Sequence, residues 1–206
     1  MYLEITDKVI ESVPKIAITG LKQDEEEFLT KLHKEVLRTV LKLNYVNNCD
    51  DMEAGILIDL CTMKYWIIDG GHKHVSIKNN DEAYGIYRVA RKRQLMFIHN
   101  HPTSNTFSYR DLNSYLSAEQ IKIMSVVGNN GIIYVLIKKE SYIREEAIDK
   151  LNEFMKDIIS DIESQKLGLN IRDITKMAIN IARDKWLNDC GQYGLCYFVL
   201  EQEATY

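Results

Sequence analysis

Apolar positions in the first quarter of the chain recur at steps of three and four residues between Asp24 and about Tyr45. The residues in this pattern are Phe28, Leu32, Val36, Val40 and Leu43. The spacing predicts an amphipathic helix with acidic residues in its first turn. We expect this helix to cover one face of a sheet. Residues 1–20 hold short apolar pieces that suit either strands or an irregular lead-in.

Short β-rich runs follow this helix and are separated by turn residues. EAGILIDL from Glu53, KYWIIDG from Lys64 and HVSI from His74 predict a meander of two or three strands. Residues 81–94 predict a helix, and LMFIH predicts a short strand. IKIMSVV and IIYVLIKK predict two strands joined by a GNNG hairpin turn. Helices and strands therefore interleave, and the sequence predicts an α/β fold around a mixed sheet.

The pattern changes after about Ser141, where we expect helices alone. Residues 141–166 and 170–188 each carry an apolar stripe, with a break at Gly168. Such stripes are typical of a core or a subunit contact. We therefore predict a core domain over residues 1–140 and a helical C-terminal extension over residues 141–206. The extension would pack on the core or form an oligomer or partner contact.

Composition argues against nucleic acid as the main partner. A net charge of −4 and a pI near 5.8 make nucleic acid an unlikely main partner, because binding to a phosphate backbone relies on clustered Lys and Arg. The densest basic run lies where a helix is expected to end, and cations there favour the helix dipole. This run consists of Arg88, Arg91, Lys92 and Arg93.

The four cysteines contain no CxxC pair, and the chain shows no signal-peptide start. No apolar run reaches the roughly 18 residues that a membrane span requires. We therefore expect a cytoplasmic protein without membrane contact and with idle or buried thiols. The cysteines are Cys49, Cys61, Cys190 and Cys196.

The densest chemistry lies in FIHNHPTSNTFSYRD, residues 97–111. His99 and His101 are separated by one residue at the end of a predicted strand, so their side chains point to the same face. Two ligands of one metal need this geometry. Pro102 ends the strand because it lacks a backbone donor and has a fixed φ.

A third ligand lies ten residues further on. If Ser108 is the N-cap of a helix running to about Glu119, Asp111 lies in its first turn and can face the strand end. Two histidines and an aspartate leave zinc a fourth position for water, whose pKa falls toward about 7. Glu53, at the start of a strand expected beside LMFIH, is the candidate general base.

Each part of this pattern also has a structural explanation. Ser108 and Asp111 resemble a capping box with Asp in place of the usual Glu or Gln. The HxH spacing recurs in GGHKHVSI, where we interpret His72 and His74 as surface or turn histidines. The combination of HxHP with SxxD distinguishes residues 99–111 from that pair.

Glu53, the HNHP at residues 99–102 and the SYRD at residues 108–111 resemble the signature of the JAMM (MPN+, JAB domain) metalloproteases. The resemblance spans roughly residues 50–138 and implies an α/β/α sandwich of the JAMM and cytidine-deaminase-like type. It implies zinc on His99, His101 and Asp111. It also implies Glu53 as general base and Ser108 as hydrogen-bond donor to the oxyanion.

Members of this family cleave peptide or isopeptide bonds, often beside a ubiquitin-like C-terminus. Asn100 makes the motif more similar to the bacterial RadC-like and phage-associated branch. Five residues separate Pro102 from Ser108, one or two fewer than in the usual family loop. We expect a zinc metallopeptidase or isopeptidase that acts on a protein or peptide. The alternatives are a non-proteolytic RadC-like binding module and a non-haem iron oxygenase, whose metal also takes two histidines and a carboxylate.

Overall fold

The computed structural model of the chain describes residues 3–18, 21–164 and 171–201. The helices of this part are α1 (Asp7–Ser12), α2 (Gln23–Asn47), α3 (Asp81–Val89), α4 (Tyr109–Ser117), α5 (Arg144–Ser164) and α6 (Ile171–Asp189). Its strands are β1 (Met52–Asp59), β2 (Tyr65–His72), β3 (Leu95–His101), β4 (Ile121–Gly128), β5 (Ile133–Lys138) and β6 (Leu195–Leu200). Short 3-10 helices cover Ile77–Asn79 and Cys190–Tyr193. None of the helices in these ranges combines the length and apolar character of a membrane span.

The described strands form one six-stranded sheet with the order β2-β1-β3-β4-β5-β6. β1 is antiparallel to both β2 and β3, whereas β3 and β4 are parallel. Every residue of β1 and of β3 is buried, as expected for strands inside a sheet rather than at its edge. The α/β class and the mixed sheet are therefore confirmed.

The long periodic segments form the elements that their spacing predicts. α2 covers the predicted 24–45 stretch and packs against β1 and β3. Its apolar stripe supplies five buried aliphatic residues: Leu29, Leu32, Val36, Leu37 and Val40. The predicted LMFIH strand, the helix after Ser108 and the strands on either side of GNNG are present as well. Apolar residues that recur every 3.6 positions predict helices, and apolar residues that alternate predict strands. Both patterns predict these elements well because each element buries one defined face.

Three expectations need correction. HVSI is not a strand, because His74 makes an isolated bridge to Gly71 and a 3-10 helix begins at Ile77. The helix predicted to reach residue 94 ends at Val89, and its last three basic residues lie in the turn that follows. Helices are not the sole elements after Ser141, because β6 joins the sheet as its sixth strand. The break predicted at Gly168 lies outside the described residues.

The chain divides into two compact units. The first comprises Met1–Thr106, Gln120–Val135 and Phe198–Tyr206; the second comprises Phe107–Glu119 and Leu136–Tyr197. The predicted division at residue 140 stays a prediction.

In the second unit, a buried lysine holds the C-terminal end of α4. Lys138 Nζ donates to the carbonyl oxygens of Tyr115 and Ala118 at 2.6 and 2.7 Å. The last carbonyls of a helix have no partner inside the helix, so a cation there satisfies them and favours the helix dipole. The Nζ atom also lies 4.3 Å from the centroid of the Tyr115 ring.

A second buried contact in this unit joins α6 to α5, because Trp186 Nε1 donates to the Ala147 carbonyl at 3.1 Å.

In the first unit, a buried histidine joins α2 to β4. His33 is fully buried, and its Nδ1 lies 2.7 Å from the Leu29 carbonyl oxygen. Its Nε2 lies 2.6 Å from Ser125 Oγ. A neutral ring satisfies both contacts when Nδ1–H donates to the carbonyl and Nε2 accepts from the serine hydroxyl. Burial of the ring lowers the pKa of His33 from 6.5 to about 4.

We expect the free energy of unfolding to fall as the pH falls from about 6.5 toward 4. The unfolded chain takes up a proton on His33 near pH 6.5, whereas the folded chain resists it until about pH 4. The unfolded state is therefore favoured at low pH, by up to about 3 kcal/mol for a shift of this size. Urea denaturation of the wild type and of His33→Gln across this range measures the effect. Equal pH slopes in the two proteins would contradict the assignment.

Candidate metal centre

Two histidines occupy the buried C-terminal end of β3. His99 and His101 are 2% and 8% exposed. Alternation along the strand directs both rings to one face, and their Nε2 atoms lie 3.2 Å apart. Two nitrogen ligands of a tetrahedral zinc ion, each at about 2.0–2.1 Å from it, lie about 3.3–3.4 Å apart. The separation of the two Nε2 atoms therefore suits a shared ion.

The loop after β3 determines which nitrogen of His101 carries its proton. His101 Nδ1 lies 3.0 Å from the carbonyl oxygens of both Asn105 and Thr106. Carbonyl oxygens accept hydrogen bonds and do not donate them, so Nδ1 carries the hydrogen and the neutral ring presents an unprotonated Nε2. Metal-binding histidines commonly use this arrangement, which fixes the ring and makes the ligand nitrogen more basic. The short TSNTF loop thus orients His101.

The ring of His99 is held by an aromatic neighbour. Phe97, two residues earlier on the same face of β3, stacks on it with 5.5 Å between ring centroids and 17° between planes. Gly55 on β1 leaves room for this stack, because a Cβ atom there would lie 2.8 Å from Phe97 Cε2. A larger residue at position 55 would displace Phe97 and, with it, the His99 ring.

β1 brings Glu53 to the same end of the sheet. Gly55 is the β1 partner of His99 in the antiparallel ladder. Glu53 lies two residues before Gly55, so it shares the face of Gly55 and lies nearer the strand end that carries His101. Glu53 is 8% exposed. This pairing confirms the prediction that the EAGILID strand lies beside the LMFIH strand.

A β-bulge in β2 lies opposite Glu53. From Ala54 to Met52 the β1 strand advances two residues, whereas β2 advances three, from Asp69 to His72. Gly70 lies inside this bulge, and a Cβ atom there would collide with the Glu53 carbonyl oxygen. Gly70 therefore allows the β2 backbone to approach Glu53 closely.

Asn100, between the two histidines, points to the opposite face and bonds the backbone on both sides of Glu53. Its Oδ1 accepts from the Ala54 amide at 2.9 Å, and its Nδ2 donates to the Met52 carbonyl at 3.3 Å. Nδ2 also donates to Asn129 Oδ1 at 3.3 Å. Asn100 is fully buried, so these bonds satisfy a side chain that would otherwise be costly there.

Ser108 and Asp111 form a complete capping box at the start of α4. Ser108 Oγ accepts from the Asp111 amide at 3.1 Å, and Asp111 Oδ2 accepts from the Ser108 amide at 2.7 Å. The structural interpretation of SxxD is therefore confirmed. Neither bond uses the proton of the Ser108 hydroxyl, which can donate to another acceptor.

Two groups of described residues could hold a metal ion: His99, His101 and Asp111, and Cys49, Asp51 and His72. In the first group, the histidines belong to the first unit and Asp111 to the second. The second group lies within the first unit, and one ligand atom from each of its residues lies within 4.8 Å of the others. The first group is the ligand set that the sequence predicts. The sequence did not indicate the second group, because its residues are 23 positions apart and no HxHP or CxxC spacing links them.

Sequence reasoning also missed the residues that position the first group. The sequence pattern makes Asn100 a marker of a family branch, whereas its side chain binds the backbone around Glu53. The pattern places Phe97 and Gly55 in strands and indicates no role for them at the site. The alternation of β3 could have indicated Phe97, because it lies on the histidine face two residues earlier.

In comparisons with protein-family models, curated proteins and solved structures, nothing matched the chain. The resemblance to JAMM metalloproteases therefore stays a prediction.

Replacing Asn100 by Ala should lower the free energy of unfolding by about 1–3 kcal/mol. The substitution removes the partners of a buried amide and a buried carbonyl beside Glu53, and unsatisfied buried groups carry a cost of this size. Denaturant unfolding measures the loss.

Asn105→Ala is the matched control for this prediction. Asn105 is exposed and its side chain bonds Thr103 at 3.3 Å, so its loss should cost less than about 0.5 kcal/mol. Equal losses in the two variants would show that the Asn100 bonds do not hold β1.

Proposed function

We propose that this protein is a zinc-dependent hydrolase that cleaves a peptide or isopeptide bond with a metal-activated water. The observation that carries this proposal is the buried pair His99 and His101, whose Nε2 atoms lie 3.2 Å apart. The tautomer fixed at His101 supports it as well.

The proposed zinc ligands are His99, His101 and Asp111. This donor set fits zinc because imidazole and carboxylate are among its usual ligands and three of them leave one position open. Zinc bound there would supply a water with a pKa near 7 and would polarise the substrate carbonyl.

The other residues of the site act on protons and on developing charge. Glu53 accepts a proton from the attacking water and delivers it to the departing nitrogen. Burial of its strand on both sides and the bonds of Asn100 to Met52 and Ala54 hold its backbone in one position. The hydroxyl of Ser108 donates to the oxyanion that forms as the carbonyl is attacked.

The finer fold and the partners belong to the same proposal. We infer an α/β/α sandwich of the JAMM type, supported by the order of α2, β1 to β3, α4 and the β4–β5 pair. The proposed substrate is a protein or peptide, with ubiquitin-like conjugates as one class. α5 and α6 are proposed to contact an oligomer partner or another protein through exposed apolar residues such as Met177 and Ile181.

Removing a ligand should cost one equivalent of zinc per chain. His99→Ala removes an imidazole, and Asp111→Asn removes the ligand charge while its amide oxygen still accepts from the Ser108 amide, so the start of α4 is kept. Elemental analysis after dialysis against a weak chelator should find one equivalent less zinc in each variant than in the wild type.

His74→Ala is the control for metal content. His74 is exposed and belongs to neither metal-binding group, so its replacement should leave the zinc content unchanged. Wild-type zinc content in both His99→Ala and Asp111→Asn would refute the ligand assignment.

Glu53→Gln should keep the zinc and lower the hydrolysis rate by about 10²–10⁴-fold. The amide has nearly the shape of the carboxylate but cannot accept the water proton, and general base catalysis contributes a factor of this order. Mass spectrometry of a proteome-derived peptide mixture and of isopeptide-linked ubiquitin dimers, incubated with zinc-loaded protein, measures the cleavage.

Asp69→Asn controls for loss of a carboxylate elsewhere in the β1–β2 pair. Asp69 is the β2 partner of Ala54 and is exposed, so the rate should stay within about twofold of the wild type. Equal cleavage by Glu53→Gln and wild type would remove Glu53 from the mechanism. A lack of hydrolysis in every zinc-loaded form would instead favour the binding module.

A further inference from the structure

We propose that Cys49, Asp51 and His72 form a second site for a divalent transition-metal ion, of which zinc is the best fit. One ligand atom from each of the three residues lies within 4.8 Å of the others. All three belong to the first unit. The inference is independent of the proposed hydrolase activity, because it uses none of the residues assigned to that reaction.

The backbone brings these three side chains together before any ion binds. Asn48 ends α2 in the left-handed conformation, with φ of 49°, and this turn directs Cys49 toward the start of β1. At the other end of the cluster, Met52 and His72 are partners in the β1–β2 ladder. The Lys73 amide donates to the Asp51 carbonyl at 2.8 Å. Sheet pairing thus holds Asp51 beside His72.

Hydrogen bonds already join the three ligand groups. His72 Nδ1 lies 2.6 Å from Asp51 Oδ1. The Cys49 thiol also hydrogen-bonds the Asp51 carboxylate. A bound cation would replace the protons that these bonds share and would bind the same three atoms, since metal ligands must lose their protons.

The donor set selects the class of ion. Thiolate and imidazole are soft or borderline ligands that favour zinc over magnesium or calcium, which prefer oxygen. A thiolate and a carboxylate together neutralise the two charges of the ion. The imidazole ring is 65% exposed, so water can reach a fourth position of a tetrahedral ion. Lys73 Nζ lies 3.8 Å from Asp51 Oδ2 and is itself 61% exposed, so it can move into solvent when the cation binds.

The ion would join three segments of the chain. It would connect the turn after α2, the start of β1 and the end of β2, immediately after the bulge in which Gly70 lies close to the Glu53 carbonyl oxygen. Because the unfolded chain does not hold these ligands together, binding should also stabilise the fold.

Cobalt(II) titration of the metal-free full-length protein tests this proposal. A cobalt–thiolate bond produces an intense near-ultraviolet charge-transfer band, which a site of two histidines and an aspartate does not produce. We expect the band in the wild type and in His99→Ala, and its loss in Cys49→Ser. Cys61→Ser is the matched control, because Cys61 is an exposed free cysteine outside both groups; this variant should keep the band.

A second measurement uses the wild type alone. Zinc should slow the alkylation of Cys49 by iodoacetamide at least about tenfold and leave that of Cys61 unchanged, as followed by peptide mass spectrometry.

Three outcomes would overturn the site: absence of the cobalt band in the wild type, its persistence in Cys49→Ser, or equal alkylation of Cys49 with and without zinc. Loss of the band in His99→Ala would overturn its independence. Loss of zinc from the His99 site alone would affect the proposed hydrolase and leave this inference intact.

Discussion

The burial of β3 on both faces is the constraint on which the rest of the site depends. Every residue of this strand is buried, so each polar side chain on it must find a partner inside the protein. His99 and His101 share one face, where their Nε2 atoms approach each other. Asn100 points to the other face, where it bonds the backbone of β1. A single strand therefore builds the face that is proposed to bind metal and holds the neighbouring strand that carries Glu53.

Small residues and backbone carbonyls complete this arrangement. Gly55 leaves space for the ring of Phe97, and that ring orients His99. The carbonyls of the loop after β3 fix the proton on His101 Nδ1. These groups take no part in the proposed chemistry. They determine which ring nitrogens of His99 and His101 point toward the position that a metal ion would occupy between them. Such positioning makes a pair of buried imidazoles suitable for zinc.

The two HxH segments of the chain show how backbone conformation changes the meaning of one spacing. In β3 the intervening residue is extended, so both histidine rings lie on one face. Between His72 and His74 the intervening Lys73 has a φ of 57°, which breaks the alternation. Both side chains are exposed, as expected, although Gly70 and Gly71 lie within β2 and not in the predicted turn. His72 instead contacts Asp51, a partner that spacing alone does not indicate.

The sequence by itself determined the α/β class, the long helix, the central strands and the face that His99 and His101 share. These features follow from local periodicity and from the alternation of side chains along a strand. Only the tertiary structure decided that Asn100 holds β1, that Gly70 accommodates Glu53, and that Cys49 and Asp51 meet His72. It also decided that β6 extends the sheet after the last long helix. These contacts join residues far apart in the chain, and strand pairing, which local sequence patterns do not encode, brings them together.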